Sequence, residues 1–184
     1  MSDSDLAPAL LVAMPQLLDP NFHRTVVFLI EHDEGGTFGL VLNRATDLPV
    51  ARLCESLGIP WRGRADKPVS WGGPVQPEHG WLLLGDAAPE HLEAERVMDG
   101  VRFSRSPDVL REVAQAPPRR FRAFLGYAGW GPGQLRDELV QGAWLVAPAT
   151  PEFVFEASAE TLWEDVVRHL GIDPATLVPT QGVN

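Results

Sequence analysis

The chain has 184 residues, 45% hydrophobic and 22% charged, with six Trp and eight Phe. That is enough for one domain with a sizeable core, and it excludes disorder along most of the length. Fifteen basic residues against 25 acidic ones give a formal net charge of -10, which disfavours uniform attraction to nucleic-acid phosphate or anionic lipid.

Cys54 is the lone cysteine, so no intrachain disulfide or thiolate metal cluster can form, and a reducing cytoplasm fits best. The N-terminus carries Asp3 and Asp5 and a short apolar run broken at Pro15, without the basic region and cleavage pattern of a secretory signal. No stretch approaches the ~18 consecutive apolar residues of a membrane span.

In chain order, Arg24 to Glu31 is β-branched and aromatic, as expected of a central strand buried on both faces. Gly35 and Gly36 then turn the chain into a second strand from Phe38 to Leu42, a predicted hairpin. Val50 to Leu57 has helical spacing and is stopped by Gly58 and Pro60. A strand at Val69 to Trp71 enters a Gly/Pro-rich turn, and Gly80 to Gly85 leaves it as another strand. Asp99-Gly100 predicts a tight turn between strands at Val97–Met98 and Val101–Ser104.

A helix is predicted from about Ser106, its hydroxyl as cap, to about Ala116. Arg122 to Tyr127 is a strand candidate, followed by a helical pattern through Leu135 and Leu139 and a strand in AWLVA, a possible βαβ unit. An amphipathic helix from about Glu160, capped by Ser158 and closed by Gly171, completes the pattern. No repeat or linker appears, so residues 1–184 read as one α+β domain with its core at about 8–171 and an irregular tail over 172–184.

Two glycine-rich segments carry the functional expectation. Gly126, Tyr127, Gly129, Trp130, Gly131 and Gln134 belong to a stretch joining strand to helix, where backbone N–H groups could cradle an anion. Pro132 removes one donor, and neither a nucleotide-triphosphate loop nor a dinucleotide fingerprint is present. Trp71, Gly72, Gly73, Pro74 and Gln76 form the second segment, in which glycines allow close approach and prolines stiffen the chain. The two segments either rim one aromatic-walled pocket or pack on each other.

Glu138 shares a helix face with Gln134. Asp19 to Arg24 reads as a turn, with Asn21 capping it, or as a presentation of Arg24 to a ligand. Arg119, Arg120 and Arg122 read as a solvated strand entrance. The five histidines lack metal-ligand spacing and Cys54 lacks an activation signature, so neither a metal nor a cofactor is expected.

The segments LLVAMPQLLDPNFHRTVVFLIEHDEGGTFGLVLNR, WGGPVQP, GYAGWGPGQLRDEL and AWLVAP resemble the YqgE/AlgH family of bacterial proteins, in order and spacing, from Leu10 to about Gly171. The resemblance implies a compact α+β fold with a curved, barrel-like, mainly antiparallel sheet flanked by helices. It also brings the label of transcriptional regulator and no established enzyme class.

The leading expectation is a cytoplasmic, non-catalytic binding module whose glycine loops present Trp130, Tyr127 and Gln76 to a protein partner or small ligand. The enzyme alternative uses Arg24, Glu138 or a loop histidine as acid, base or anion clamp around the same pocket. The regulator alternative acts through another protein, since no basic recognition helix is present and direct nucleic-acid binding is disfavoured by the charge.

Overall fold

The computed structural model describes residues 6–177, so Asp3, Asp5 and the tail beyond Leu177 lie outside the described residues. Ten strands and five α-helices interleave along the described chain. β1 (Ala9–Ala13), β2 (Val26–Asp33) and β3 (Gly36–Val41) come first, then β4 (Ala45–Pro49), α1 (Val50–Ser56), β5 (Pro68–Trp71) and β6 (Val75–Leu84). β7 (Glu95–Met98), β8 (Val101–Ser104), α2 (Pro107–Val113) and β9 (Phe121–Trp130) follow. The chain closes with α3 (Gln134–Val140), β10 (Trp144–Ala147), α4 (Pro151–Phe155), α5 (Leu162–His169) and a 3-10 turn at Pro174–Leu177.

The strands form one sheet in the order β10-β1-β2-β3-β9-β6-β8-β7, and β5, carrying β4, pairs with β9. Every pairing is antiparallel except β5 with β9. One apolar cluster joins Leu10 and Val12 of β1 to Leu83 and Phe103 of β6 and β8. These strands lie far apart in the sheet order, so the sheet must curl to bring their side chains together, and the fold is a curled half-barrel. Leu162, Trp163, Val166 and Val167 of α5 fill its inside, the i, i+1, i+4, i+5 stripe expected from the sequence. Trp163 Nε1 donates to Ala13 O at 2.8 Å, fastening α5 to β1.

Outside the curl, α1 and α2 cover Leu82, Phe121 and Ala123, while α3 covers Val27, Ala128 and Trp130. β9 serves both faces because of a change of phase. Phe124 and Tyr127 both face the interior cluster, although strict alternation would put residues three apart on opposite sides. Gly126, at φ 76°, sits at this change of phase, opposite the register shift of β6 between Val75 and Gly80.

The expected hairpin is present, with Asp33 opposite Gly36, and so is the Asp99-Gly100 turn, with Gly100 at φ 84°. Val26 to Leu29 are buried on both faces between β1 and β3. Four expectations are corrected. The segment after Pro74 is already strand, since Val75 pairs with Tyr127 at the start of β6. β9, α3 and β10 are not a βαβ unit, because β10 runs antiparallel to β1 at the far edge. Ser106 stands before α2 without a hydroxyl cap, its own N–H donating to Ser104 Oγ. α5 begins at Leu162, after Thr161, while Ser158 accepts from the N–H groups of Glu160 and Leu162 just ahead of it.

Candidate functional site

β9 is the fork of the sheet. Its first half pairs with β5 and its second half with β3, while β6 lies along the other edge. Gly72 bridges the fork, donating to Leu125 O at 2.8 Å and accepting from Val41 N at 2.8 Å. Here the two glycine segments meet backbone to backbone. A Cβ on Gly72 would lie 2.3 Å from Gly126 O, one on Gly73 would lie 2.1 Å from the Tyr127 carbonyl, and one on Gly126 would lie 2.2 Å from Gly73 O. The adjacency left open by the sequence is thus present, and these three glycines are used up in packing the segments on each other rather than in approaching a ligand.

The second segment is less of a loop than its composition suggests. Gly126 and Gly129 belong to β9, and the turn is only Gly131-Pro132-Gly133. Gly131 N donates to Gln134 Oε1 at 3.0 Å, and Gln134 N donates to Gly131 O at 3.1 Å. Two of the N–H groups that could have met an anion are satisfied within the turn, and Gln134 acts as the local cap.

Trp130 is only 5% exposed, packed on Phe22 at 6.1 Å and Trp144 at 5.8 Å between ring centroids. The expectation that it presents a flat face to a partner is corrected: α3 and the Asp19–Arg24 turn cover that side of β9. Glu138 is half-buried beneath the same cluster. Desolvation pushes its carboxyl up, with nearby Trp144, Trp130 and Gln134 partly opposing and Asp19 reinforcing the shift. Glu138 Oε2 and Trp144 Nε1 are buried and outside hydrogen-bond geometry.

Arg24 lies elsewhere. Its guanidinium stacks 4.3 Å over Trp163 and sits 3.1 Å from Glu164 Oε1, on the α5 side of the sheet, whereas Glu138 lies on the α3 side. The two do not share a pocket, because β1 and β2 stand between the faces they occupy. The turn leading to Arg24 is as expected, but Asp19 Oδ1 accepts from Asn21 N in place of a cap by Asn21. Arg44 then clamps the turn through the carbonyls of Pro20, Asn21 and His23. Trp71 is half-buried with Arg44 5.3 Å above its ring.

What the fork does build is an open depression of about 510 Å³ where Val75, Tyr127 and Gly129 meet Thr37 of β3 and the carboxylates Glu31 and Asp33. Tyr127 packs on Phe38 at 4.8 Å, and its ring leans over Gly129, where a Cβ would come within 3.0 Å of it. Pro74 and Gln76 are exposed beside Val75, and Gln76 holds φ at 46°, a region costly for a residue with a Cβ. Glu31, 3.3 Å from Arg105, Asp33 and Thr37 were not among the predicted site residues. Their signal is the EHDEGGT hairpin tip, which has no cue to the strand it would lie against.

A family model described as AlgH-like matches residues 10–175. A UPF0301 protein of Myxococcus xanthus is 44% identical over 98% of this chain and 99% of its own. The solution structure of the AlgH protein from Pseudomonas aeruginosa superposes with a TM-score of 0.77 at 34% identity, covering 100% of this chain and 98% of that one. A crystal structure of a protein from Corynebacterium diphtheriae gives a TM-score of 0.76 at 27% identity, over 97% and 93% of the two chains. The AlgH-like fold, the match along nearly the whole chain and the motif order place this chain in the YqgE/AlgH family.

Proposed function

We propose that the protein is a non-catalytic binding module and that the depression around Tyr127 receives a segment of a protein partner carrying a cationic group. The observation that carries this reading is Tyr127 itself, half-buried, laid over Gly129 on a backbone locked by Gly72, Gly73 and Gly126, with Glu31 and Asp33 in the same lining. An aromatic floor beside the Asp33 carboxylate, with Glu31 already paired to Arg105, favours Lys or Arg side chains through ring and charge attraction together. The rigid fork lowers the ordering cost of association.

Any regulatory role is then exerted through that partner, since an acidic lining and a net charge of -10 repel DNA phosphate. The lone, buried Cys54 is in keeping with action in the cytoplasm. The test is crosslinked capture from cytosol of the source organism with wild type, Tyr127→Ala and Asp33→Asn, each shown folded by circular dichroism. Loss of the same captured protein in both variants is expected. Undiminished capture by the folded variants would overturn the assignment of this surface.

A further inference from the structure

Arg122 is the residue whose surroundings depart furthest from expectation. The basic run Arg119, Arg120 and Arg122 predicts a solvated strand entrance, but β9 turns Arg122 inward while Arg119 stays 87% exposed. Its guanidinium lies 4.7 Å over Phe124, donating from Nη1 to Val154 O at 2.9 Å and from Nη2 to Leu42 O at 2.7 Å and Ser70 Oγ at 2.8 Å. All three acceptors are neutral, and burial alone pushes the group down to about 10. These bonds use both Nη2 protons and one on Nη1, while Nε has no protein acceptor among the described residues and is open to solvent.

A second cation shares this concavity. Lys67 is half-buried, and the contact its Nζ makes is with the face of Phe121 at 5.7 Å. Desolvation, then repulsion by Arg122 and Arg64, pushes its pKa down, and no carboxylate offsets them. Arg64 is itself paired with Asp66 at 3.0 Å. The cavity, about 290 Å³, has Arg44, Lys67, Ser70 and Arg122 as its polar and charged lining, and no acidic residue. Arg44 directs its charge to the three carbonyls of the Asp19–Arg24 turn, which leaves Arg122 and Lys67 uncompensated.

A half-buried cation without a counter-ion carries a desolvation penalty, which is conspicuous in a chain whose net charge is -10. An anion in the cavity would offset it. Ser70 Oγ accepts from Arg122 and keeps its own proton to donate. The Arg122 guanidinium and the Ser70 hydroxyl, with the Lys67 side chain in the same lining, match a tetrahedral oxyanion. A volume of about 290 Å³ also leaves room for a small organic group on it.

We propose that this cavity, which shares no lining residue with the Tyr127 depression, is a binding site for a phosphate monoester held by Arg122, Ser70 and Lys67. The test uses inorganic phosphate with the full chain at constant ionic strength, following the arginine Nε–H resonances by NMR and the melting temperature in parallel. The expected result is a saturable shift of the Arg122 Nε–H signal and a melting temperature that rises with phosphate. Lys67→Met, which keeps the apolar stem, is expected to weaken the apparent affinity about tenfold, while Arg64→Ala leaves it unchanged.

Absence of a saturable Arg122 shift would overturn the proposal, as would phosphate binding that Lys67→Met does not weaken. Acetate binding more tightly than phosphate at the same site would overturn the phosphate class in favour of a carboxylate. Neither result bears on the partner capture that tests the Tyr127 surface.

Discussion

Gly73 and Gly126 touch through their backbones: a Cβ on Gly126 would stand 2.2 Å from the carbonyl oxygen of Gly73. The contact joins the β5–β6 connection to the point where β9 changes phase, so it holds the two parts of the sheet and the Tyr127 surface in one arrangement.

Gly126→Ala combines that overlap with a left-handed backbone, φ 76°, and is expected to destabilise the fold by about 3 kcal/mol or more in urea denaturation. Gly58→Ala separates the two contributions. Gly58 also has positive φ, 70°, but nothing lies within 4 Å of its Cβ position, so only the backbone cost of about 1–2 kcal/mol remains, offset by about 0.5–1 kcal/mol of lost unfolded-chain freedom. Equal losses at the two sites would show that β5 can move away from β9.

Trp130→Ala removes a side chain that is 5% exposed and packed on Phe22 and Trp144. A loss of about 3–5 kcal/mol is expected, with a smaller loss for Trp130→Phe. Full stability of the alanine variant would return Trp130 to the surface role that its place in a glycine-rich segment suggested.

Gln76 is exposed and holds φ at 46°. Gln76→Gly relieves about 1–2 kcal/mol of backbone strain against about 0.5–1 kcal/mol of added unfolded-chain freedom, so a net gain of about 0.5 kcal/mol is expected in chemical denaturation. A net loss would reveal a stabilising contact of the Gln76 side chain.

Glu138 carries a pH prediction. Desolvation raises its folded-state pKa, so between the ordinary carboxylate value of about 4.3 and the raised value the native state binds more protons than the unfolded chain. Its contribution to stability therefore falls as pH rises through that window, and the penalty is complete above the raised pKa. Glu138→Gln should gain on wild type at pH 8 relative to pH 4 in paired urea titrations. A difference that stays constant with pH would mean that burial does not disfavour the Glu138 carboxylate.

Much of the local structure was legible in the residues. The hairpin at Gly35-Gly36, the Asp99-Gly100 turn and the buried stripe of α5 follow from backbone preference and periodicity, which act over a few residues. The same logic misplaced β10, since a strand–helix–strand order does not say which sheet edge the last strand joins; pairing with β1 depends on contacts more than a hundred residues apart. Arg119 and Arg122 look alike as letters in a basic run, yet one is exposed and the other lies under Leu42, Ser70 and Val154.

The sequence by itself determined a single acidic α+β domain, its family, most of its elements and the glycine positions where backbone freedom was needed. Tertiary structure decided what those glycines were for: side-chain-free backbone at Gly72, Gly73 and Gly126 lets two segments interlock. It also decided that Trp130 is covered, that Tyr127 and Asp33 share a surface, and that Arg122 and Lys67 share a cavity without a counter-ion. Burial and charge compensation depend on which distant segment covers a side chain, a relationship set by the curl of the whole sheet and absent from any local stretch of the chain.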